Sequence, residues 1–132
     1  MWGRRWRNSP KTRGRSTLPP PMESSQRRKA ANEAVFRAVN EQIEDLQTRF
    51  TVSEVEPLSL VCECDRLQCK EPIRVDAETY ERIRAHSDRF LVLPGHEDPT
   101  VEDVVDTGSG YLVVRKHAGE PRRIAAETDP RG

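Results

Sequence analysis

Aromatic residues and long apolar runs are scarce in this sequence. Only 5% of its 132 residues are aromatic, and the whole hydrophobic set amounts to 34%. No stretch approaches the roughly 18 consecutive apolar residues that a membrane-spanning helix needs. The composition therefore argues against a transmembrane helix, and the length predicts one domain with a thin hydrophobic core.

Several motifs of enzymes are also missing. We find no Gly-x-Ser-x-Gly nucleophile turn, no glycine-rich phosphate loop and no paired-carboxylate site. The His-x-Glu and Pro-Cys-x-x-Cys arrangement of zinc deaminases is absent as well. The sequence therefore favours a protein that is not an enzyme.

The net charge of zero conceals an uneven distribution of charge. Residues 1–30 hold nine basic residues and one acidic residue, so the remaining chain holds 13 basic and 21 acidic residues. Residues 1–24 are rich in Arg, Pro, Ser and Gly, a composition typical of a disordered basic tail. This tail is interpreted as a solvated segment, as an extension upstream of a start at Met22, or as an arm whose Trp2 and Trp6 contact nucleic acid.

Residues 25–50 show the period of a helix. Their apolar side chains are spaced by three and four positions, at Phe36, Val39, Ile43, Leu46 and Phe50. The favoured interpretation is a helix that packs on the sheet of its own domain. The same stripe also fits a homodimer or a partner protein, although two heptads are short for an independent coiled coil.

The rest of the chain predicts a small, mostly antiparallel sheet with a second short helix. Asp76 is expected to cap that helix, with Val75 and Tyr80 forming a hydrophobic staple. Residues 101–116 predict a C-terminal β-hairpin with a four-residue loop at 107–110. We expect a single α+β domain over residues 25–117 and a flexible tail over 118–132.

All three cysteines lie within residues 62–69, in the stretch VCECDRLQC. In an extended strand Cys62 and Cys64 share one face, and Cys69 can return to them across a turn. His96 follows a strand and a Pro-Gly turn, so it is the best fourth ligand. No apolar segment follows Arg4-Arg5, so we expect no export signal. Clustered thiols in a reducing cytoplasm are typical of metal ligation.

The pattern predicts a structural zinc site made of Cys62, Cys64, Cys69 and His96, because zinc prefers four tetrahedral N and S ligands. Reduced structural thiols, redox chemistry and a Cys64–Cys69 disulfide remain alternatives. A zinc hydrolase with Glu97 as the base is a further alternative. Three thiolates argue against it, because they weaken the Lewis acidity of the metal.

The chain resembles an uncharacterised family of small bacterial proteins of the actinobacterial type. The resemblance covers residues 30–116 and rests on four features: the Asn32-Glu33 helix opening, the Cys-x-Cys-x4-Cys cluster, the Pro-Gly-His-Glu turn and the closing hairpin. It implies the same four metal ligands and brings no assigned activity. Residues 1–21 lie outside the resemblance.

Overall fold

The computed structural model describes residues 21–50, 57–66 and 68–132. Within these ranges the chain has the predicted α+β fold, with a long N-terminal helix, two shorter helices and antiparallel strands. The elements in chain order are α1 (Ser24–Phe50), β1 (Leu58–Leu60), β2 (Ile73–Val75), α2 (Ala77–Arg84), β3 (Arg89–Val92), β4 (Glu102–Gly108), β5 (Tyr111–Lys116) and α3 (Glu120–Glu127). None of the helices in these ranges is both long enough and apolar enough to cross a bilayer.

The basic arm is mostly outside the described part of the chain. Residues 1–20, with both tryptophans of the nucleic-acid hypothesis, are not described. Met22 is described and is 7% exposed, and it packs with Ala30 and Val101 in a small apolar cluster. The folded unit therefore reaches at least to Met22, slightly before the predicted boundary at residue 25.

The strands form two sheets, where the sequence had indicated one. β1 pairs with β2 in an antiparallel register that aligns Leu58 with Val75 and Leu60 with Ile73. These four side chains are buried, while the residues between them are exposed, which is the alternation expected of a strand with one face on a core. Together with β3 and the centre of β5 they build the main hydrophobic core.

The second sheet has the order β3-β5-β4, and the predicted C-terminal hairpin is present as β4 and β5. The prediction of a four-residue loop was wrong. Pairing continues to Gly108 and Tyr111, so Ser109 and Gly110 alone connect the strands. Gly110 has a φ of +82°, and the Tyr111 ring lies where a side chain at position 108 would stand. Glycine at both positions makes the tight connection possible.

The helix α2 begins as predicted. Asp76 precedes its first turn, and its side chain accepts a hydrogen bond of 2.6 Å from the backbone amide of Thr79. Tyr80 and Ile83 point from this helix into the core and are buried. The cap and the two apolar residues fix the helix against β3.

The helix α1 docks on the domain with a polar face. Its buried residues are Ala30, Glu33, Arg37 and Asn40. The predicted apolar stripe is rotated away from that face. Phe36 and Ile43 are half-buried, whereas Val39, Leu46 and Phe50 are 38%, 54% and 78% exposed. The prediction that this stripe packs on the domain therefore holds only in part, since Ile43 contacts the main core.

The helix α3 occupies the region predicted to be a flexible tail. Pro121 and Ala125 are buried, and α3 packs against α1 and β5. The guanidinium group of Arg37 donates a hydrogen bond of 2.7 Å to the carbonyl oxygen of Ala125 and one of 2.6 Å to that of Ser87. This segment has too few apolar residues to show a helical period in the sequence. Its contacts with Arg37 of α1 order it in the folded protein.

Candidate metal centre

The segment that follows β1 runs alongside the end of β3. The backbone amide of Glu63 donates a hydrogen bond of 2.8 Å to the carbonyl oxygen of Leu91. Two residues further on, just past the end of β3, the amide of Leu93 donates to the Sγ atom of Cys62 at 3.1 Å. These bonds place Cys62 and Cys64, which are 3% and 1% exposed, at the edge of the core.

A turn brings the third cysteine back to the first two. The backbone amide of Cys69 donates a hydrogen bond of 3.1 Å to the carbonyl oxygen of Arg66. The amide of Arg66 itself donates to the sulfur of Cys64. Hydrogen bonds from backbone amides stabilise a thiolate in the same way as other anions, so this turn favours the ligating form of the sulfur.

His96 arrives from the loop after β3. Its backbone amide donates to the carbonyl oxygen of Leu93 at 3.0 Å, and Gly95 has a φ of +89°, where glycine is unstrained. Glu97, the residue considered above as a base, accepts a hydrogen bond of 2.8 Å from the Gly95 amide. The Pro-Gly-His-Glu sequence thus forms a closed turn that presents the imidazole.

The four predicted ligands lie together. One donor atom from each of Cys62, Cys64, Cys69 and His96 lies within 4.8 Å of all the others, so the group can hold a metal ion. The Nδ1 atom of His96 is 3.6 Å from the Sγ atom of Cys62 and 3.4 Å from that of Cys69. Tetrahedral zinc, with its usual bond lengths, places a nitrogen and a sulfur ligand about 3.6 Å apart.

The environment of the sulfurs makes them costly to ionise without a cation. Burial raises the pKa of Cys62, and the backbone amide of Leu93 opposes this effect. Burial likewise raises the pKa of Cys64, against the hydrogen bond from Arg66. Amide donors aimed at buried sulfurs fit a site in which a bound cation supplies the remaining stabilisation of the thiolates.

The sequence analysis missed two residues behind the ligands. Asn40 of α1 donates through Nδ2 to the carbonyl oxygen of Val61 at 2.8 Å and to the Glu63 carboxylate at 2.7 Å. Its Oδ1 atom accepts from the Val61 amide at 2.8 Å. The other oxygen of Glu63 accepts from the Leu91 amide at 2.9 Å, and Glu63 is only 1% exposed.

A signal for these two residues exists in the sequence. Asn40 is a weak helix former in the middle of a long helix, which is a reason to ask what its side chain binds. Glu63 stands directly between two predicted ligands, which is a reason to ask what holds its side chain. Burial raises the pKa of Glu63, while the hydrogen bond from Asn40 lowers it.

The remaining histidines do not join the group. His86 is exposed, and the Nε2 atom of His117 lies 3.1 Å from a carboxylate oxygen of Asp103. Comparisons with known proteins found no matching family model, no matching curated protein and no matching solved structure. The functional argument therefore depends on the geometry and chemistry of the four converging side chains.

Proposed function

We propose that this protein binds one zinc ion through Cys62, Cys64, Cys69 and His96 and that the ion is structural. The observation that carries the proposal is the convergence of four donor atoms from three separate segments within 4.8 Å. The segments are the residues that follow β1, the turn before β2 and the loop after β3. An ion at their meeting point cross-links parts of the chain that the thin core holds only weakly.

The donor set favours zinc over other ions. Three sulfurs and one imidazole nitrogen form the Cys3His set of tetrahedral structural zinc sites. Calcium and magnesium prefer oxygen ligands, and iron–sulfur clusters usually take four cysteines. Cu(I) also accepts thiolates, so metal analysis has to distinguish it from zinc.

A structural role fits the ligand count better than catalysis does. Four protein ligands complete a tetrahedron and leave no position for water or substrate, which a catalytic zinc requires. Three thiolates also reduce the ability of zinc to polarise a bound molecule. Glu97 supports the ligand turn through its bond from Gly95, so its carboxylate already has a structural task.

We further propose an interaction or regulatory module of the cytoplasm. Three cysteines without a disulfide partner among them suit a reducing compartment, where thiolates are available for metal. The outward apolar residues of α1 offer a surface for a second copy or another protein. Membership in the bacterial family that the sequence resembles is part of this proposal.

Metal analysis of the full chain, purified without added zinc, tests the proposal. We expect about one zinc per chain and loss of bound zinc after His96→Ala. The matched control is His86→Ala, which removes an exposed imidazole outside the group and is expected to retain zinc. Substoichiometric metal in the wild-type protein, together with normal folding after Cys→Ser at positions 62, 64 and 69, would contradict the proposal.

A further inference from the structure

The segment that carries Cys62 and Cys64 is held from two sides. On one side, the amide and carbonyl groups of Val61 both bond to the side chain of Asn40. On the other side, Leu91 of β3 bonds to the backbone of Glu63, and Leu93, just past the end of β3, bonds to the sulfur of Cys62. The short segment that carries the two cysteines therefore lies between α1 and β3, and hydrogen bonds to both elements together determine its orientation.

The side chain of Glu63 connects α1 and β3. One carboxylate oxygen accepts from Asn40 of α1, and the other accepts from the Leu91 amide of β3. Since adjacent side chains of an extended chain point to opposite sides, fixing Glu63 toward α1 directs the residues on both sides of it the other way. Those residues are Cys62 and Cys64.

We propose that Asn40 and Glu63 are positioning residues of the metal centre, which hold Cys62 and Cys64 toward the ion and link metal binding to the docking of α1. This inference rests on the proposed zinc site and deepens it. Residues behind metal ligands commonly change metal affinity 10- to 100-fold when removed. Asn40 bonds to the backbone of Val61, just before the first ligand, and to the side chain of Glu63, and neither bond involves a ligand atom. The pair therefore acts on the ligands by orienting the chain that carries them.

The link works in both directions. If docked α1 improves zinc affinity, bound zinc must stabilise the docking of α1 by the same factor. Asn40 lies near the middle of the 27-residue helix, on its buried face. Zinc binding is therefore expected to protect the amides of α1, although no residue of this helix is a ligand.

The first experiment compares Asn40→Ala with Tyr80→Phe. The control variant removes the hydroxyl that donates a hydrogen bond of 2.8 Å to Glu41, the residue after Asn40, and breaks no hydrogen bond of the cysteine segment. Zinc affinity is measured by competition with a chromophoric chelator. We expect a loss of at least about 10-fold for Asn40→Ala and wild-type affinity for Tyr80→Phe.

A spectroscopic measurement separates positioning from general loss of stability. Cobalt(II) replaces zinc in tetrahedral thiolate sites, and its visible absorption reports ligand geometry. We expect Asn40→Ala to change the cobalt bands at saturating metal, whereas Tyr80→Phe retains the wild-type spectrum. Identical spectra and equal affinities for both variants would overturn the inference.

A second variant keeps the test valid if Asn40→Ala does not fold. Asn40→Asp keeps the acceptor for the Val61 amide but places a carboxylate oxygen against the carboxylate of Glu63. Adding Glu63→Gln restores a donor between the two side chains, so we expect the double variant to recover part of the zinc affinity lost in Asn40→Asp. A double variant no better than the single one counts against the pair.

Hydrogen exchange tests the reciprocal effect in the full-length wild-type protein. We expect added zinc to slow exchange along α1, and this protection to be lost in Asn40→Ala and kept in Tyr80→Phe. Absence of zinc binding by the wild-type protein would refute the proposed function itself. Zinc binding without protection of α1 would refute only the coupling.

Discussion

The Nδ1 atom of His96 lies 3.4 Å from the Sγ atom of Cys69, although 27 residues separate them in the chain. Between them lie β2, α2 and β3, so an ion that binds both residues closes a loop around a large part of the core. Closing such a loop restricts the unfolded chain, and binding to the folded state alone adds to stability.

Removal of the metal is therefore expected to destabilise the protein strongly. Zinc at 1,000 times its dissociation constant stabilises a fold by about 4 kcal/mol. In a domain of this size, that corresponds to a fall in Tm of about 10 °C or more after chelation. Thermal unfolding with and without chelator measures the effect. The variant with serine at positions 62, 64 and 69 is the control, because chelator has no ion to remove from it.

Protonation of Glu33 is expected to control stability around neutral pH. The carboxylates of Glu33 and Glu102 each lie 2.6 Å from the buried ammonium of Lys116. Burial raises the pKa of Glu33 from 4.5 to about 7, against the opposing effect of Lys116. Because the folded state binds the proton more tightly, its stabilising contribution is complete below about pH 4.5 and disappears as the pH rises through 7.

Glu33→Gln tests this assignment. The amide oxygen still accepts from Lys116, and position 33 no longer contributes a buried charge. We expect the variant to be more stable than wild type at pH 8, by about 2–3 kcal/mol, and to lose the fall in stability between pH 5 and 8. Urea unfolding over that range provides the measurement. An unchanged pH profile in Glu33→Gln would show that another group is responsible.

The order of α3 can be tested with two neighbouring alanines. Ala125 is 2% exposed beneath Arg37, whereas Ala126 is exposed on the outer side of the same helix. We expect Ala125→Asp to lower the free energy of unfolding by at least about 2 kcal/mol, because it forces a larger, charged side chain into a buried position. Ala126→Asp should stay within about 0.5 kcal/mol of wild type. If both variants change the free energy of unfolding equally in chemical denaturation, the flexible tail predicted from the sequence is supported instead.

The homodimer predicted through Phe36, Val39, Ile43 and Leu46 stays a prediction, which the structure makes more specific. Phe36 and Ile43 are half-buried on their own domain, so Val39 and Leu46 are the residues available to a second copy. We expect Leu46→Glu to convert a dimer into a monomer in light scattering, while the exposed control Thr48→Glu leaves it intact. A wild-type protein that is monomeric at high concentration would contradict this prediction.

Local patterns of sequence predicted much of this fold. The long helix followed from its period, the cap of α2 from Asp76, and the hairpin from two β-branched runs around glycines. The proximity of the four candidate ligands was predicted because ligand chemistry restricts the possible residues so strongly. Reduced thiols, redox chemistry and a Cys64–Cys69 disulfide also fitted the sequence, and the convergence of the four donor atoms is what the structure adds.

The polar interior could not be predicted in the same way. Arg37 is buried because it reaches the carbonyl of Ala125, which lies 88 residues away. Glu63 is buried because Asn40 and β3 supply donors to its carboxylate. Burial of a polar residue depends on partners that only the folded chain brings together, so the hydrophobic periodicity of the sequence does not predict such burial.

The buried polar face of α1 determines how accurately the helix is positioned on the domain. Apolar side chains tolerate small displacements along a surface, but hydrogen bonds to Asn40 and Arg37 are lost over a shift of an ångström or so. Sliding the helix by one turn would move every group by about 5.4 Å and leave these buried atoms without partners. The position of α1 relative to the cysteines is consequently fixed, and with it the position of its exposed apolar residues Val39, Leu46 and Phe50. Any protein that binds these residues therefore meets a surface of defined orientation.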